Sequence, residues 1–372
     1  MKLAINLILS FAMLGLCLWL VWPDAGDRSD LADAFQKLEW SEFAPYLGIY
    51  VGLMVVSHLF RSLRWNFLLA PLGIKIPAGP LLAISSVGFM AILALPARLG
   101  EFVRPGLLRR RGISASAALG TVAVERIVDG LIISLFVFGA FFAIRGPGAP
   151  DWMMPVAYTA LGIFAAALAF LLFAMKQPDR TVAFCIRLSL LDRFAPRIAR
   201  VIEAKLLDMI RGFAVLRDVK NLTKFCAWTI VYWSANGLAV WVLAQAFHLE
   251  LSLIGGFAVM GLVAVGISLP NSPGLVGQFQ WFTLLGLSLY LGPEVMEGGT
   301  IWDSVAREMG AAVTPNSLHI TALAYSIVQH LFQVIWYVGM GALGLASPWV
   351  SLNDLRHVRD ATPEPAAPPA AP

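Results

Sequence analysis

Long apolar runs separated by short polar segments dominate the chain. Six of these runs reach about twenty residues, the length that an α-helix needs to cross the hydrocarbon core of a bilayer. They lack the alternation of polar and apolar residues that is typical of a transmembrane β-strand. The pattern predicts an all-α polytopic membrane protein. The predicted spanning helices are 3–22, 43–63, 115–144, 153–175, 226–247 and 318–346.

Composition supports a membrane location and argues against a soluble fold. Hydrophobic residues make up 59% of the 372 residues, and charged residues 13%. A soluble domain is about 45–50% apolar and about 25% charged. The net charge of +4 follows from basic loops, which is typical of membrane topology and of affinity for anionic lipid. We therefore expect membrane lipid, and no nucleic acid, as a partner.

Charge in the first half indicates on which side of the membrane each loop lies. The loop 23–42 has six acidic and two basic residues, whereas 61–78 has three basic residues and no acidic one. Because basic loops stay in the cytoplasm, the N-terminus and 61–78 are predicted to be cytoplasmic. Segment 98–111, with five arginines and one acid, is predicted to lie there too. The apolar run 79–97 between them is therefore predicted to be a re-entrant hairpin.

The second half shows the opposite orientation. Segment 176–224 has eleven basic and five acidic residues and is predicted to be cytoplasmic, whereas 293–317 has four acids and one base and is predicted to lie outside. Since 226–247 crosses to the outside, the run 253–292 enters and leaves from there. It is predicted to be a second re-entrant hairpin, with the uncharged turn at 269–274.

Each half thus contains two spans, a re-entrant hairpin and a last span, and the two halves start on opposite sides. This predicts a helical bundle of two inverted-topology halves, 1–150 and 151–346, an arrangement typical of transporters. The segment 95–102 is weakly echoed by 269–279. Eight ordinary spans with a loose charge bias are the alternative.

Two segments outside the spans carry their own predictions. The cytoplasmic segment 179–224 is amphipathic, with Ile198, Ile202, Leu206, Met209 and Phe213 at helical spacing. It either lies on an anionic leaflet or is a plain connector between helix bundles. The tail 347–372 is predicted to be cytoplasmic, and disordered from about 361, where alanine and proline dominate.

Charged residues inside membrane segments are costly and therefore point to function. Glu125 and Asp129 are four residues apart on one helix face, and Arg126 is placed to pair with Asp129. One hypothesis is that Arg126 neutralises these acids and joins two helices. The other is that Arg126 binds an anionic headgroup, or that an acid carries a proton.

A second cluster follows the first hairpin. If 96–105 is helical, Arg98, Glu101 and Arg104 lie on one face at spacings of three. Guanidinium groups bind phosphate through two hydrogen bonds, so two arginines balanced by one glutamate suit a phosphate group. Cytoplasmic anchoring of the loop is the alternative.

Two further polar clusters are less specific. His58, Arg61, Arg64 and Trp65 end the second span, where interfacial snorkelling is the ordinary explanation. Uncharged polar side chains in the last span more often join helices than bind ligands. These are Ser326, Gln329, His330 and Gln333.

These clusters, with the second hairpin, supply a set of candidate substrate-binding residues. The chain has no P-loop, HExxH or GxSxG motif and no clustered metal ligands. We therefore expect no enzyme activity, cofactor or metal, although intramembrane transferases can lack such motifs. The candidates are Arg61, Arg64, Arg98, Glu101, Arg104, Glu125, Arg126, Asp129, Asn271, Gln278, Gln280 and His330.

Three segments resemble the lysylphosphatidylglycerol synthase transmembrane-region family, whose members are also called flippase-like domain proteins. They are 95–105, 125–129 and 273–279, and the resemblance covers about 5–345. It implies a multi-pass protein of the bacterial inner membrane that moves a lipid between leaflets. In bifunctional members, the membrane region flips an aminoacylated phosphatidylglycerol that a cytosolic domain makes. Because 347–372 is too short for such a domain, lipid synthesis is not expected here.

The preferred hypothesis is a flippase for an anionic phospholipid. The chain has no ATP motif, so uphill transport would need an ion gradient or consumption of the lipid downstream. The alternatives are a secondary transporter of a small anionic solute, an intramembrane enzyme acting on a lipid phosphate, and a non-transporting partner subunit. A lipid-synthesis enzyme and a second copy of the chain are the protein partners that we consider.

Overall fold

The computed structural model describes residues 31–32, 35–36, 39–109, 112–143, 151, 153–189, 191–268, 272–296 and 317–351. Within these ranges the chain is helical and has no β-strand. The helices of fourteen or more residues are numbered here. They are α1 (Trp40–Leu63), α2 (Ala78–Ala94), α3 (Ala115–Ala143), α4 (Met153–Lys176), α5 (Pro196–Arg211), α6 (Val219–Ala246), α7 (Leu253–Gly266), α8 (Gln278–Leu291) and α9 (Ser317–Ala346).

Five described helices are long and apolar enough to cross a membrane, namely α1, α3, α4, α6 and α9. They confirm an all-α polytopic membrane protein and five of the six predicted spans; the sixth, 3–22, lies outside the described residues. Helix α6 begins at Val219, seven residues earlier than the predicted 226. The cause is a cap at Asp218, whose carboxylate accepts a hydrogen bond from the Asn221 backbone N–H at 3.0 Å. This bond holds the pKa of Asp218 below its ordinary value.

The first hairpin has different bounds from those predicted. The run 79–97 is not a complete hairpin, because α2 is one continuous helix of seventeen residues that ends only at Ala94. The chain turns back at Leu95 and returns as a 3₁₀ helix, Pro96–Phe102, and a short α-helix, Val103–Leu108. Gly100 permits this turn, since a side chain there would overlap the backbone of α2 at Ala91. The hairpin therefore extends over 78–108.

The second hairpin has the predicted bounds. Helices α7 and α8 have fourteen residues each and pack against each other. Both are shorter than the roughly twenty residues that a spanning helix needs. Between them, the backbone adopts positive φ at Gly274 (66°), Leu275 (62°) and Gly277 (77°), which produces a tight reversal.

The two halves exchange helix contacts, since the hairpin of each half packs against the last helix of the other half. Helix α1 packs against α6, the corresponding helix of the other half. Helix α2 of the first hairpin packs against α9, and α7 of the second hairpin packs against α3. The returning segment of the first hairpin, Pro96–Phe102, also touches the turn of the second, Pro273–Leu275. This pairing is compatible with the predicted repeat, and both the repeat and its inverted orientation stay predictions.

Two apolar cores lie toward opposite ends of the bundle. The first surrounds the start of α1 and the end of α3, and includes Phe43 and Phe141. The second surrounds the end of α1 and the start of α3, and includes Trp65 and Val122. Polar residues 57–64 of α1 lie between the two cores along that helix.

The predicted amphipathic segment 179–224 is a set of short helices rather than one. Pro178–Leu188 and Leu191–Phe194 precede α5, and a 3₁₀ helix, Gly212–Arg217, follows it before α6 begins. Helix α5 packs on Pro178–Leu188 through Val182, Ile186 and Ala199. The predicted span of this segment is therefore corrected at its C-terminal end, which belongs to α6.

Candidate functional site

Arg64, at the end of α1, is the centre of a buried ion-pair cluster. Its guanidinium makes two parallel hydrogen bonds to Asp129 of α3, Nη1 to Oδ1 at 2.6 Å and Nη2 to Oδ2 at 2.8 Å. Nη1 also donates to the Thr229 hydroxyl of α6 at 2.7 Å, and Nη2 to Glu125 Oε1 at 3.3 Å. The Arg64 side chain is fully buried. Three helices are thus joined by one guanidinium, in the geometry that favours carboxylate binding.

Arg104 brings the first hairpin into the cluster. Its Nη1 donates to both oxygens of Glu125, at 3.2 and 3.1 Å, and both side chains are fully buried. Its guanidinium lies over the Trp65 ring at 4.1 Å. Gly88 of α2 makes room for it, since a side chain there would overlap that of Arg104. The returning arm of the hairpin is therefore fixed to α3 by a charge pair in a low-dielectric environment.

Arg126 and Glu101 form a more accessible ion pair beside this buried group. Arg126 Nη2 donates to Glu101 Oε2 at 3.1 Å, and the side chains are 30% and 14% exposed. Arg126 is 3.9 Å from Asp129, so the predicted pairing within α3 is weak. Arg64 and Arg104 make the close contacts to the two acids of α3, whereas Arg126 joins α3 to the first hairpin through Glu101.

Arg61 differs from the other arginines in having an aromatic environment. Its guanidinium lies over the Phe89 ring at 3.9 Å, and its Nη1 donates to the Tyr337 hydroxyl of α9 at 2.9 Å. In the described part of the chain, Arg61 forms no ion pair with a carboxylate. Nearby, His58 is hydrogen-bonded to Ser86 of α2 at 2.8 Å.

Arg64 and Trp65 are not interfacial residues. Both are completely buried, so snorkelling, the ordinary explanation that we gave for this cluster, is wrong for these two side chains. The reason is that the chain continues past the predicted span end into a short helix, Trp65–Leu69, which packs against α6, α3 and the 3₁₀ helix Gly212–Arg217. There the Trp65 indole N–H donates to Thr121 of α3 at 2.9 Å.

Positive charge exceeds negative charge in the described cluster. Three carboxylates, Glu101, Glu125 and Asp129, face four guanidinium groups. Several buried guanidinium nitrogens have no hydrogen-bond partner among the described residues, including Nε and Nη2 of Arg104 and Nε of Arg61. Such donors in a low-dielectric site attract an anion. The cluster thus has the charge and the free donors to hold a phosphate group.

Residues of α6 complete the site, although the sequence interpretation did not single them out. The Trp233 indole N–H donates to Asp129 at 3.1 Å, and the Tyr232 ring lies 4.9 Å from the Arg64 guanidinium. Phe225, Thr229, Tyr232 and Trp233 recur at helical spacing on one face. Hydroxyl and indole groups on an otherwise apolar face are the signal that indicates this contribution.

The predicted residues of the second hairpin form a separate, neutral group. The Gln280 amide donates to His330 Nδ1 at 2.9 Å, and His330 Nε2 lies 2.9 Å from the Gly274 carbonyl oxygen. The Gln278 amide donates to the Gly266 carbonyl at 2.8 Å, and its oxygen accepts from the Ser272 N–H at 3.0 Å. Gln280 and His330 thus hold the turn of the hairpin to α9, whereas Gln278 joins parts of the hairpin to each other.

Two predicted site residues cannot be placed with the others. Asn271 and the side chain of Arg98 lie outside the described residues. No group of three or more His, Cys, Asp or Glu side chains able to hold a metal occurs in the described ranges.

A bundle of apolar helices with two short paired hairpins and a buried arginine–carboxylate cluster defines an all-α polytopic membrane protein. The chain belongs to the family described as the lysylphosphatidylglycerol synthase TM region, whose model matches residues 4–306. This confirms the resemblance drawn from the three short motifs.

A curated relative adds a second observation. The chain is 27% identical over 257 residues to the glycosyltransferase AglD of Haloferax volcanii, a match that covers 61% of this chain and 40% of that protein. The chain thus corresponds to less than half of that relative's length. The expectation of no enzyme activity, drawn from missing motifs, is contradicted by similarity to a protein named as an enzyme. No solved structure matches the chain.

Proposed function

We propose that the protein moves an anionic lipid between the leaflets of the membrane, with the buried arginine cluster as the site for its phosphate. One observation carries the proposal. A fully buried set of ion pairs, Arg64 and Arg104 with Glu125 and Asp129, is flanked by two partly exposed arginines, Arg61 and Arg126. Family membership supports a lipid as the substrate.

The first step is binding of the headgroup. Arg126 is held by Glu101 through a partly exposed pair, so an incoming phosphate competes with that carboxylate for the guanidinium. Arg61 offers a second guanidinium with an unpartnered Nε. Displacement of Glu101 loosens the contact between the first hairpin and α3. Binding and hairpin movement are thereby coupled.

The acyl chains need an apolar path while the headgroup is in the cluster. The returning segment of the first hairpin touches the turn of the second, and large apolar side chains in or next to these segments are exposed: Leu95 (40%), Phe102 (54%) and Val276 (42%). Exposed apolar groups at the ends of short membrane hairpins suit contact with lipid tails. In the proposed cycle the headgroup passes between the hairpins and the tails stay in the bilayer.

The membrane orientation is part of the same proposal. We place the protein in the cytoplasmic membrane of a bacterium, with both termini and segment 98–111 on the cytoplasmic side, because basic loops stay there. A lipid-synthesis enzyme on that side would supply the substrate. Tagging that placed 98–111 and 293–317 in one compartment would contradict the inverted repeat.

Lipid movement in proteoliposomes tests the transport proposal. Fluorescent phosphatidylglycerol is incorporated, and the fraction accessible to an external quencher is followed over time. Arg126→Ala and Glu101→Ala are expected to abolish movement while the protein stays folded in detergent. Lys220→Ala, which removes an exposed positive charge at the start of α6, is the matched control. Unchanged rates in both site variants would refute the assignment.

A charge exchange separates a structural ion pair from a substrate contact. The double variant Glu101→Arg with Arg126→Glu keeps opposite charges at the two positions and the net charge of the protein. If the pair only fastens the hairpin to α3, the exchange restores transport that Arg126→Ala loses. If Arg126 binds phosphate, transport stays lost, because the guanidinium now sits on the hairpin.

A second candidate function rests on the curated relative. We propose as the alternative that the membrane region presents a lipid phosphate for glycosyl transfer, since the similar archaeal protein is named a glycosyltransferase. The purified protein is incubated with a radiolabelled sugar donor and a lipid-phosphate acceptor. Labelled glycolipid that Arg104→Ala abolishes would favour the enzyme, and lipid movement without product would favour the translocase.

A further inference from the structure

The connector between α4 and α6 exposes large apolar side chains although its helices are too short to span a membrane. It comprises the helices Pro178–Leu188, Leu191–Phe194 and α5. Its exposed side chains are Phe184 (60%), Leu188 (73%), Phe194 (79%), Ile198 (55%) and Val201 (53%).

These exposures, 53–79%, are similar to those of side chains on the spanning helices. Ile163 of α4 is 60% exposed and Ile335 of α9 is 58% exposed, as expected for side chains that face lipid tails. A contiguous apolar patch on a segment in water would be unfavourable, so such patches mark interaction surfaces. The connector therefore has the surface of a lipid-facing helix without the length to span.

Basic residues share the faces that carry these apolar groups. On α5, Arg197, Val201 and Lys205 follow at spacings of four beside Ile198, and all four are exposed. Glu203 points away from this face. Residues 178–211 contain seven basic and four acidic residues.

The preceding helix repeats the pattern. In Pro178–Leu188, Arg180, Phe184, Arg187 and Leu188 share one exposed face. Its opposite side, with Val182 and Ile186, packs on α5. Mixed basic and apolar faces of this kind bind the surface of an anionic bilayer.

The fold holds the connector at the level of the membrane boundary. Pro178 follows Lys176, the last residue of the spanning helix α4, after a single residue. At its other end the connector is fixed to the first turns of α3, where Gly120 and Gly212 approach so closely that a side chain on either would overlap the facing backbone. Both anchor points are ends of spanning helices.

We propose that Pro178–Leu188 and α5 lie on the anionic lipid surface of the leaflet next to α4, with their apolar side chains among the acyl chains. This lipid contact is distinct from the buried arginine cluster and does not depend on transport. Phosphate groups of the leaflet would pair with Arg187, Arg193, Arg197 and Arg200, which are all exposed.

Depth measurement by spin labelling tests the proposal. The native cysteines are replaced by serine, and single labels are placed at Leu188→Cys, Ile198→Cys and, as the matched control, Glu203→Cys. The full chain is studied in nanodiscs that contain phosphatidylglycerol. Labels at 188 and 198 should be several-fold more accessible to oxygen than to a water-soluble nickel chelate, and the label at 203 should show the reverse. Equal nickel accessibility at all three positions would overturn the proposal and leave a protein partner as the occupant.

A second experiment tests whether the basic residues of the connector recognise anionic lipid. The triple variant Arg193→Gln, Arg197→Gln and Arg200→Gln is expected to raise nickel accessibility at 198, as is replacement of phosphatidylglycerol by phosphatidylcholine. If neither change alters the depth of the label, the basic residues do not recognise anionic lipid and the charge assignment is wrong. Because neither arm measures lipid movement, failure here is separable from failure of the translocase proposal.

Discussion

The two hairpins are attached to the bundle by different chemistry. The first is joined to α3 by Arg104–Glu125 and Glu101–Arg126, which are ion pairs. The second is joined to α9 by neutral hydrogen bonds, from the Gln280 amide to His330 and from His330 to the Gly274 carbonyl oxygen. In each half the hairpin is thus held by the last helix of that half. The difference places the buried charges at the first hairpin and leaves a neutral hydrogen-bonded frame at the second.

The energetic consequences of the two attachments also differ. A buried ion pair costs several kcal/mol of desolvation for each ion, so it is weak evidence for stability and stronger evidence for function. A neutral hydrogen bond contributes about 1 kcal/mol net and has no comparable desolvation cost. The charged hairpin is therefore the one that an anion can release by competing for its partners.

The largest effect is expected at Glu125. In Glu125→Gln, Arg104 keeps a buried positive charge without its partner, which should cost about 3–5 kcal/mol in free energy of unfolding. Titration with SDS in mixed micelles, followed by circular dichroism, measures this loss. Glu250→Gln, at an exposed position, is the control. A loss below about 1 kcal/mol would mean that the pair is not buried as described.

Replacement of Arg61 is expected to have an intermediate effect, which should reduce the rate of lipid movement rather than the free energy of unfolding. Because this side chain has no carboxylate partner in the described ranges, Arg61→Gln removes no ion pair. A charged hydrogen bond to the headgroup is worth about 1.5–3 kcal/mol, so lipid movement should fall at least tenfold. Tyr337→Phe removes only the hydroxyl that Arg61 contacts, and should retain most activity. Equal loss in both variants would show that Arg61 acts through Tyr337.

A smaller effect on stability is expected in the neutral hairpin. His330→Leu removes the hydrogen bonds to Gln280 and Gly274 and the stacking on Phe279 at 4.9 Å. The expected cost is about 1–3 kcal/mol in free energy of unfolding, less than for Glu125→Gln in the same assay. If His330→Leu proves the more costly, the comparison between a charged and a neutral hairpin is wrong.

The smallest effect concerns the turn of the second hairpin. Gly277 has φ of 77°, so Gly277→Ala should destabilise the protein by about 1–2 kcal/mol. Gly52→Ala in α1, where nothing lies within 4 Å of the added carbon, should be neutral or slightly stabilising. Thermal unfolding midpoints of the two variants provide the measurement. Equal unfolding midpoints would show that the turn does not require glycine at position 277.

The spanning helices and one face of the site follow from the sequence. A span requires about twenty apolar residues in a row, and this local property predicted α1, α3, α4, α6 and α9 to within a few residues, except for the start of α6. The spacing of Glu125 and Asp129 likewise placed both acids on one face of α3, because a helix repeats every 3.6 residues. Charge counts indicated a hairpin in each half.

Tertiary structure alone decided which charges meet. Arg64 pairs with Asp129 across 65 positions of the chain, and Arg104 with Glu125 across 21. Helical spacing offers only neighbours three or four residues away, so it pointed to Arg126 for Asp129 instead. Likewise, the count of charges predicts on which side of the membrane a loop lies, but it does not predict where the chain turns. In the first hairpin, the packing of Gly100 against α2 determines the position of the turn. Local periodicity thus determined the helices and their polar faces. Long-range packing determined the ion-pair partners, because a buried charge must pair with an opposite charge that the fold places beside it.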